Sequence, residues 1–145
     1  MSTVGLTVYI VDDDSSVRQA LARLIRSAGM RAEVFASVPE LVGLASSEEP
    51  DCVIVDIRMP DTSGLELPGL LARAGLRPPV IFVTAYDTDE NRAEARRVGA
   101  AAFFHKPVDG QALLDAIAWA VEANGDARVA ESQTDSNPVT KEVPH

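Results

Sequence analysis

The sequence predicts an α/β fold: a five-stranded parallel sheet, doubly wound, with helices on both faces. Three observations carry this. Short apolar runs rich in Val, Ile and Phe recur along the chain, and between them lie stretches whose apolar residues fall at helical spacing. The elements alternate strictly as βαβαβαβαβα, the order of a parallel sheet with crossover helices. The run Val53-Ile54-Val55 is β-branched, so it suits a strand buried on both faces. It stops at Asp56, and Met59-Pro60-Asp61 and Ser63-Gly64 then turn the chain out of the sheet. Asp56 is thereby set at the carboxyl end of a central strand, where open α/β sheets place their ligand crevice.

The first strand is Thr7-Val8-Tyr9-Ile10-Val11, running into Asp12-Asp13-Asp14. Ser15 and Ser16 offer caps for a helix to about Ala28. Val17, Leu21, Leu24, Ile25 and Ala28 form its buried side, Arg18, Gln19, Arg23 and Arg26 its wet side, and Gly29 ends it. Residues 32–36 alternate as a half-exposed strand. Ser37 with Glu40 is a capping box, with Pro39 in the first turn of a short helix that gives way at Glu48-Glu49-Pro50. After the Asp56 strand a helix is expected around Glu66 to Ala74. It must start close to Pro68, since an interior proline costs about 3 kcal/mol. Residues 79–83 make a fourth strand ending in Thr84-Ala85, and Asp87 to Val98 a helix stopped by Gly99. Residues 101–104 make a fifth strand ending in His105-Lys106-Pro107, and Asp109 caps a last helix to about Asn124. From Gly125 the residues are polar and aperiodic, which reads as a disordered tail.

The totals exclude several classes. A chain of 145 residues fits one domain, here residues 1–124 followed by the tail 125–145. A net charge of −9 argues against a nucleic-acid footprint and against anionic membrane. One cysteine, Cys52 beside the central run, excludes an internal disulfide and reads as a small buried hydrophobe. No basic-then-apolar leader and no long apolar run is present, so a cytoplasmic location is expected.

Four strands end in reactive groups: Asp12-Asp13, Asp56, Thr84 and Lys106. Singly each has an ordinary explanation as a solvated acid, a turn residue or a surface charge. On one rim they are more than that. Crowded carboxylates repel and raise a pKa unless a cation intervenes, and an oxygen-only cluster facing water suits Mg²⁺. A divalent cation, a lysine and a hydroxyl are what a phosphoryl group needs when it lands on a carboxylate, which makes Asp56 the candidate nucleophile.

Val11-Asp12-Asp13-Asp14, the stretch Asp56 to Gly64, Val83-Thr84-Ala85 and Lys106-Pro107 together resemble the signatures of bacterial two-component response-regulator receiver domains. The resemblance spans about residues 6 to 124, and the wording of Arg58-Met59-Pro60-Asp61 is most similar to the nitrogen-fixation type. It implies a flavodoxin-like sheet of order 2-1-3-4-5, with Asp56 as phosphoacceptor. It implies Mg²⁺ held by Asp13, Asp56 and the backbone carbonyl of Arg58, with Asp12 helping through water. Lys106 would pair with the phosphoryl group, Thr84 would swing to bond it, Phe103 would be the switch aromatic, and Lys106-Pro107 would be cis. The implied donor is a sensor histidine kinase or phosphotransfer protein in a phosphorelay, and the implied output a changed surface on the fourth helix, fifth strand and last helix.

Other residues carry smaller expectations. The fourth helix buries only Ala93, Ala95 and Val98, so it should be short or mobile unless its arginine stems cover the core. Trp119 lies opposite the core stripe Leu113, Leu114, Ile117 and Val121 of the last helix, an anchor for an unknown partner or a self-dimer. Arg58 and Tyr86, each two residues past a site residue, flank the path of attacking water, and His105 points to solvent. The chain is read as a single-domain signalling protein without an output domain and not as an enzyme. The alternative is a receiver fragment of a larger DNA-binding transcriptional regulator. The enzyme-class rival is a haloacid-dehalogenase-type phosphatase with Asp12 as nucleophile. Asp56→Asn separates the rivals, abolishing labelling in the first and sparing it in the last.

Overall fold

A computed structural model describes residues 3–44 and 49–136, with side chains placed up to residue 125. Five parallel strands, β1 Thr7–Val11, β2 Arg31–Phe35, β3 Cys52–Asp56, β4 Val80–Thr84 and β5 Ala102–His105, form one sheet in the order β2-β1-β3-β4-β5. The helices are α1 Ser15–Ser27, α2 Val38–Leu44, α3 Leu67–Arg73, α4 Asp89–Arg97 and α5 Gly110–Ser136. The doubly wound class and the 2-1-3-4-5 order are as expected.

The sheet separates two apolar layers. Tyr9, Val11, Val53, Val55 and Phe82 face Leu41, Leu67, Leu71 and Ala95 on the side of α2, α3 and α4. Val8, Ile10, Ile54, Ile81 and Val83 face Ala22, Ile25, Leu113 and Ile117 on the side of α1 and α5. Central strands β1, β3 and β4 are buried at every position, which is why they read as unbroken apolar runs. Edge strand β2 alternates only in part, since Val34 as well as Glu33 faces outward. Cys52 is fully buried, and burial pushes its thiol up to about 12.

Local signals explain most boundaries. The Ser37 hydroxyl accepts the Glu40 N–H (3.2 Å), one half of the expected capping box, while the Glu40 carboxylate accepts the N–H of Ala36 (3.3 Å), one residue before the cap, in place of that of Ser37. Pro68 sits in the first turn of α3, after a 3-10 turn at Gly64–Glu66. Asp109 accepts the Ala112 N–H (2.8 Å) and so caps α5.

Two boundaries differ. The cap of α1 is Asp14, not Ser15 or Ser16: its carboxylate accepts the N–H groups of Ser16 (2.9 Å) and Val17 (3.4 Å). A carboxylate at a helix N-terminus also meets the positive end of the helix dipole, an advantage that serine lacks. Helix α5 does not stop near Asn124 but runs to Ser136. Gly125 inside it costs about 1 kcal/mol relative to Ala, and the good helix formers Ala127, Arg128, Ala130, Glu131 and Gln133 follow it. The rest of the expected tail, 137–145, lies outside the described residues. No helix among the described residues is long and apolar enough to cross a membrane.

Candidate phosphoacceptor and metal site

Parallel strands deliver their carboxyl ends to one rim, and register decides what meets there. Asp56 ends β3 opposite Val83 of β4, and Thr84 pairs with His105 of β5, so Lys106 comes next to the same edge. The Lys106 N–H donates to the Thr84 carbonyl (2.8 Å), and the Lys106-Pro107 bond is cis. From this position Lys106 Nζ donates to Asp12 Oδ2 (2.7 Å) and Asp56 Oδ2 (2.9 Å), bridging strands β1 and β3 from the end of β5.

Asp12 is almost fully committed. Its Oδ1 accepts the Asp14 N–H (2.9 Å), its Oδ2 accepts Lys106, and its carbonyl accepts Arg18 Nη1 (2.7 Å). Helical spacing puts Arg18 on the wet side of α1, and its bond to the Asp12 carbonyl draws it to the rim instead. Asp56 Oδ1 accepts the Arg58 N–H (3.1 Å), which sets the Arg58 backbone directly beside the carboxylate. Asp13 is exposed and takes part in no hydrogen bond or ion pair among the described residues. Thr84 is fully buried, and its Oγ1 accepts the Tyr86 N–H (3.0 Å).

Burial pushes the Asp56 carboxyl above its ordinary range, and Lys106 pulls it back only in part. Burial pulls Lys106 down, but the two carboxylates it bonds outweigh this and leave it raised. Asp12, Asp13 and Asp56 each bring an oxygen within 4.8 Å of the others. That is an oxygen-only donor set which could hold Mg²⁺, a cation that takes few carboxylates and keeps several waters. Asp13 has open oxygens, while both oxygens of Asp12 and both of Asp56 already accept hydrogen bonds.

The remaining expected residues are spread around this edge. Phe103 on β5 is partly buried against the layer under α4, with the Arg92 guanidinium 4.8 Å from its ring centroid. Arg58 and Tyr86 do more than flank the site. The guanidinium lies 4.1 Å from the centre of the tyrosine ring, joining the loops that leave Asp56 and Thr84. Side-chain stacking between distant loops has no sequence signature. His105 is exposed, as expected, and so is Trp119, at 62%.

The fold and the rim together define a doubly wound α/β domain with an acidic cluster at its carboxyl edge, and comparison with known proteins makes the class specific. The chain belongs to the response regulator receiver domain family, which it matches over residues 8–118. It is similar to nodulation protein W of Bradyrhizobium diazoefficiens, 35% identical over 124 residues, covering 86% of this chain and 55% of that protein. It is likewise similar to transcriptional regulatory protein FixJ of Azorhizobium caulinodans, 35% identical over 113 residues, covering 78% and 54%. The chain thus spans about half the length of the curated relatives it matches. Among solved structures it superposes on FixJ-N with a TM-score of 0.75 at 32% identity, covering 81% of this chain and 94% of that one. It superposes on response regulator StyR with a TM-score of 0.76 at 34% identity, covering 95% and 70%. Receiver domains of this kind belong to two-component systems and interact with histidine kinases or phosphotransfer proteins.

Proposed function

We propose that this receiver domain is a phosphorylation-activated switch in which Asp56 takes a phosphoryl group from a phosphohistidine donor. The observation that carries the reading is Lys106 Nζ held between the carboxylates of Asp12 and Asp56, with the oxygens of Asp13 within reach. Asp56 Oδ attacks phosphorus as the P–N bond to the donor imidazole breaks. The bonding pair stays on that nitrogen, which takes up a proton. Lys106 turns from Asp56 to the incoming phosphoryl oxygens, and the Thr84 hydroxyl donates to them. Asp13, Asp56 and the Arg58 carbonyl are assigned as direct holders of Mg²⁺, and Asp12 through water. When bound, Mg²⁺ neutralises charge that builds on the phosphoryl oxygens.

An apolar cleft of about 480 Å³ opens beside the site, lined by Val17, Ala20 and Leu21 of α1 and by Lys106, Pro107 and Val108. It is the proposed seat of the kinase or phosphotransfer protein. The output is a shift between two arrangements of α4, β5 and α5 that favours a downstream protein or a second copy. Trp119 is the proposed anchor on α5, at the mouth of a cleft of about 630 Å³ that Pro78, Arg97 and Ala120 also line. No direct contact with nucleic acid or membrane is proposed, and self-phosphorylation and self-dephosphorylation are the only chemistry assigned.

A second reading concerns the output alone: a receiver that serves a DNA-binding module of a longer regulator. It is favoured by α5 continuing to Ser136 and by relatives such as the DNA-binding transcriptional regulator NtrC of Proteus hauseri, of which this chain covers 24%. Incubation with acetyl phosphate and Mg²⁺ tests the core of the proposal. The intact mass should rise by one phosphoryl group in the wild type and stay unchanged in Asp56→Asn. Labelling that survives in Asp56→Asn and vanishes in Asp12→Asn would transfer the nucleophile to Asp12.

A further inference from the structure

We infer that Arg92 is a positioning residue that ties the loop after Thr84 to the ring of Phe103, so that movement at the site releases the aromatic. The inference deepens the phospho-switch reading and rests on it. Each link is a contact between named groups. The Thr84 hydroxyl accepts the Tyr86 N–H (3.0 Å), so a hydroxyl that reorients toward a phosphoryl group loosens the start of the loop. That loop is stitched to the first turn of α4. The Tyr86 carbonyl accepts the Thr88 N–H (3.1 Å) and Asn91 Nδ2 (2.8 Å), and the Thr88 hydroxyl caps the Asn91 N–H (3.0 Å).

Asp87, the next residue, holds Arg92 by both oxygens: Oδ1 with Nε, and Oδ2 with Nη2 at 2.8 Å. A two-point pair fixes the guanidinium plane as well as its position. The same guanidinium carbon stands 4.8 Å from the centre of the Phe103 ring, whose inner side packs on the apolar layer. Phe103 is therefore held from outside by a cation that is itself aimed by the Thr84 loop. Three elements meet in this clip: the β4–α4 loop through Asp87, α4 through Arg92, and β5 through Phe103.

Arginine is required for this role, because lysine offers neither the planar fork nor a stacking face. Losing one exposed cation–π contact changes a two-state population by about two- to five-fold. The released arrangement of Phe103 should gain by that factor when the clip is cut. Asp87 and Arg92 act through one pair, so cutting both should do no more than cutting either.

The test uses the full chain labelled with 4-fluorophenylalanine. Its four phenylalanines give separate fluorine resonances, and Phe103→Leu identifies that of Phe103. Beryllofluoride with Mg²⁺, a phosphoryl mimic, should shift the Phe103 resonance of the wild type. Without the mimic, Arg92→Ala, Arg92→Lys and Asp87→Asn should each move it part of the way in the same direction. The double variant Asp87→Asn/Arg92→Ala should match the singles. A wild-type resonance indifferent to beryllofluoride overturns the phospho-switch and this coupling together. A wild type that responds while Arg92→Ala stays at the resting position overturns the coupling alone. So does additivity in the double variant, or an Arg92→Lys protein that behaves as the wild type.

Discussion

Gly64→Ala probes how closely the loop after Asp56 must press on the sheet. A Cβ built on Gly64 would stand 2.1 Å from the Asp56 carbonyl oxygen, 2.9 Å from its carbon and 3.0 Å from Val55 Cγ2. Ordinary contact begins at 3.4 Å, so the carbonyl or the loop must retreat by roughly 1.3 Å, the gap between 2.1 and 3.4 Å. The carbonyl cannot easily yield, since β3 is clamped between β1 and β4. The loop is held as well: the Gly64 N–H donates to the Ile57 carbonyl (3.0 Å), and Ser63 Oγ donates to that same oxygen (3.3 Å). Overpacking of this kind costs about 1–3 kcal/mol, and a clash with backbone on both sides belongs near 3. For a domain of this size that is a fall in Tm of about 10 °C. A displacement near 1 Å beside the nucleophile should also slow labelling by acetyl phosphate by about 10²-fold. Ser63→Ala, which removes a weak hydrogen bond and the cap on the Leu65 N–H, should cost only about 1 kcal/mol. Thermal unfolding and labelling time courses on both variants settle the matter. A Gly64→Ala protein within about 2 °C and twofold of the wild type would refute the close-approach argument.

Asp56→Asn should raise Tm at neutral pH. Burial raises the folded-state pKa of Asp56, so its ionisation weakens folding as pH climbs through that value, and an amide escapes the penalty. The advantage should shrink as pH falls toward the ordinary carboxylate range, and a Tm difference that grows on acidification would contradict it. Lys106→Met leaves Asp12 and Asp56 facing each other. It should lose about 2 kcal/mol at neutral pH, less than a fully buried pair because the lysine is 21% exposed, and Mg²⁺ should restore part of that. A melting curve of this variant that ignores Mg²⁺ counts against the cation site. Arg58→Ala and Tyr86→Ala should each shorten the life of the aspartyl phosphate by about two- to fivefold, the worth of one exposed stack, and the double variant no further. Decay of labelled protein after donor removal measures it, and multiplying effects would show that the two side chains act separately.

Much of this arrangement was legible because strand ends and caps are local. The β-branched run before Asp56, Pro68 near the start of α3 and Asp109 before α5 each state their structure within a few residues. What escaped depends on distant partners or on close competition. Asp14 outcompeted Ser15 and Ser16 as cap by charge. Arg18 left the solvent side for the Asp12 carbonyl, and Arg58 found Tyr86 across two loops. The sparse apolar face of α4 was read as a sign of a short or mobile helix. It spans nine residues, Asp89–Arg97, buries Ala95, leaves the expected Ala93 exposed, and sets the Arg92 guanidinium rather than an arginine stem over Phe103. The end of α5 lies beyond the expected one because Gly125 and the polar residues after it look like punctuation, although Ala127, Arg128, Ala130, Glu131 and Gln133 among them are good helix formers.

Charge counting explains why such a rim is poised. Asp12, Asp13 and Asp56 bring three negative charges and Lys106 one positive, leaving two uncompensated at the edge where the proposed dianionic phosphoryl group would arrive. At about 4 Å and an effective dielectric near 20, each unlike or like pair of unit charges is worth about 4 kcal/mol. The bare site therefore repels a donor more strongly than one lysine attracts it, and a divalent cation held among the carboxylates would cancel the excess. The same count bears on the proposed switch. In the resting arrangement Lys106 Nζ is spent on Asp12 and Asp56, and the Thr84 hydroxyl on the Tyr86 N–H. A phosphoryl group would add acceptor oxygens that compete with Asp12 and Asp56 for the Lys106 ammonium, and the Thr84 O–H, turning to donate to them, would draw its oxygen from the Tyr86 N–H. The two side chains it would recruit are the ones whose present bonds hold β5 to β1 and the β4–α4 loop to β4, so satisfying new charge at Asp56 would loosen structure on the α4 and β5 side.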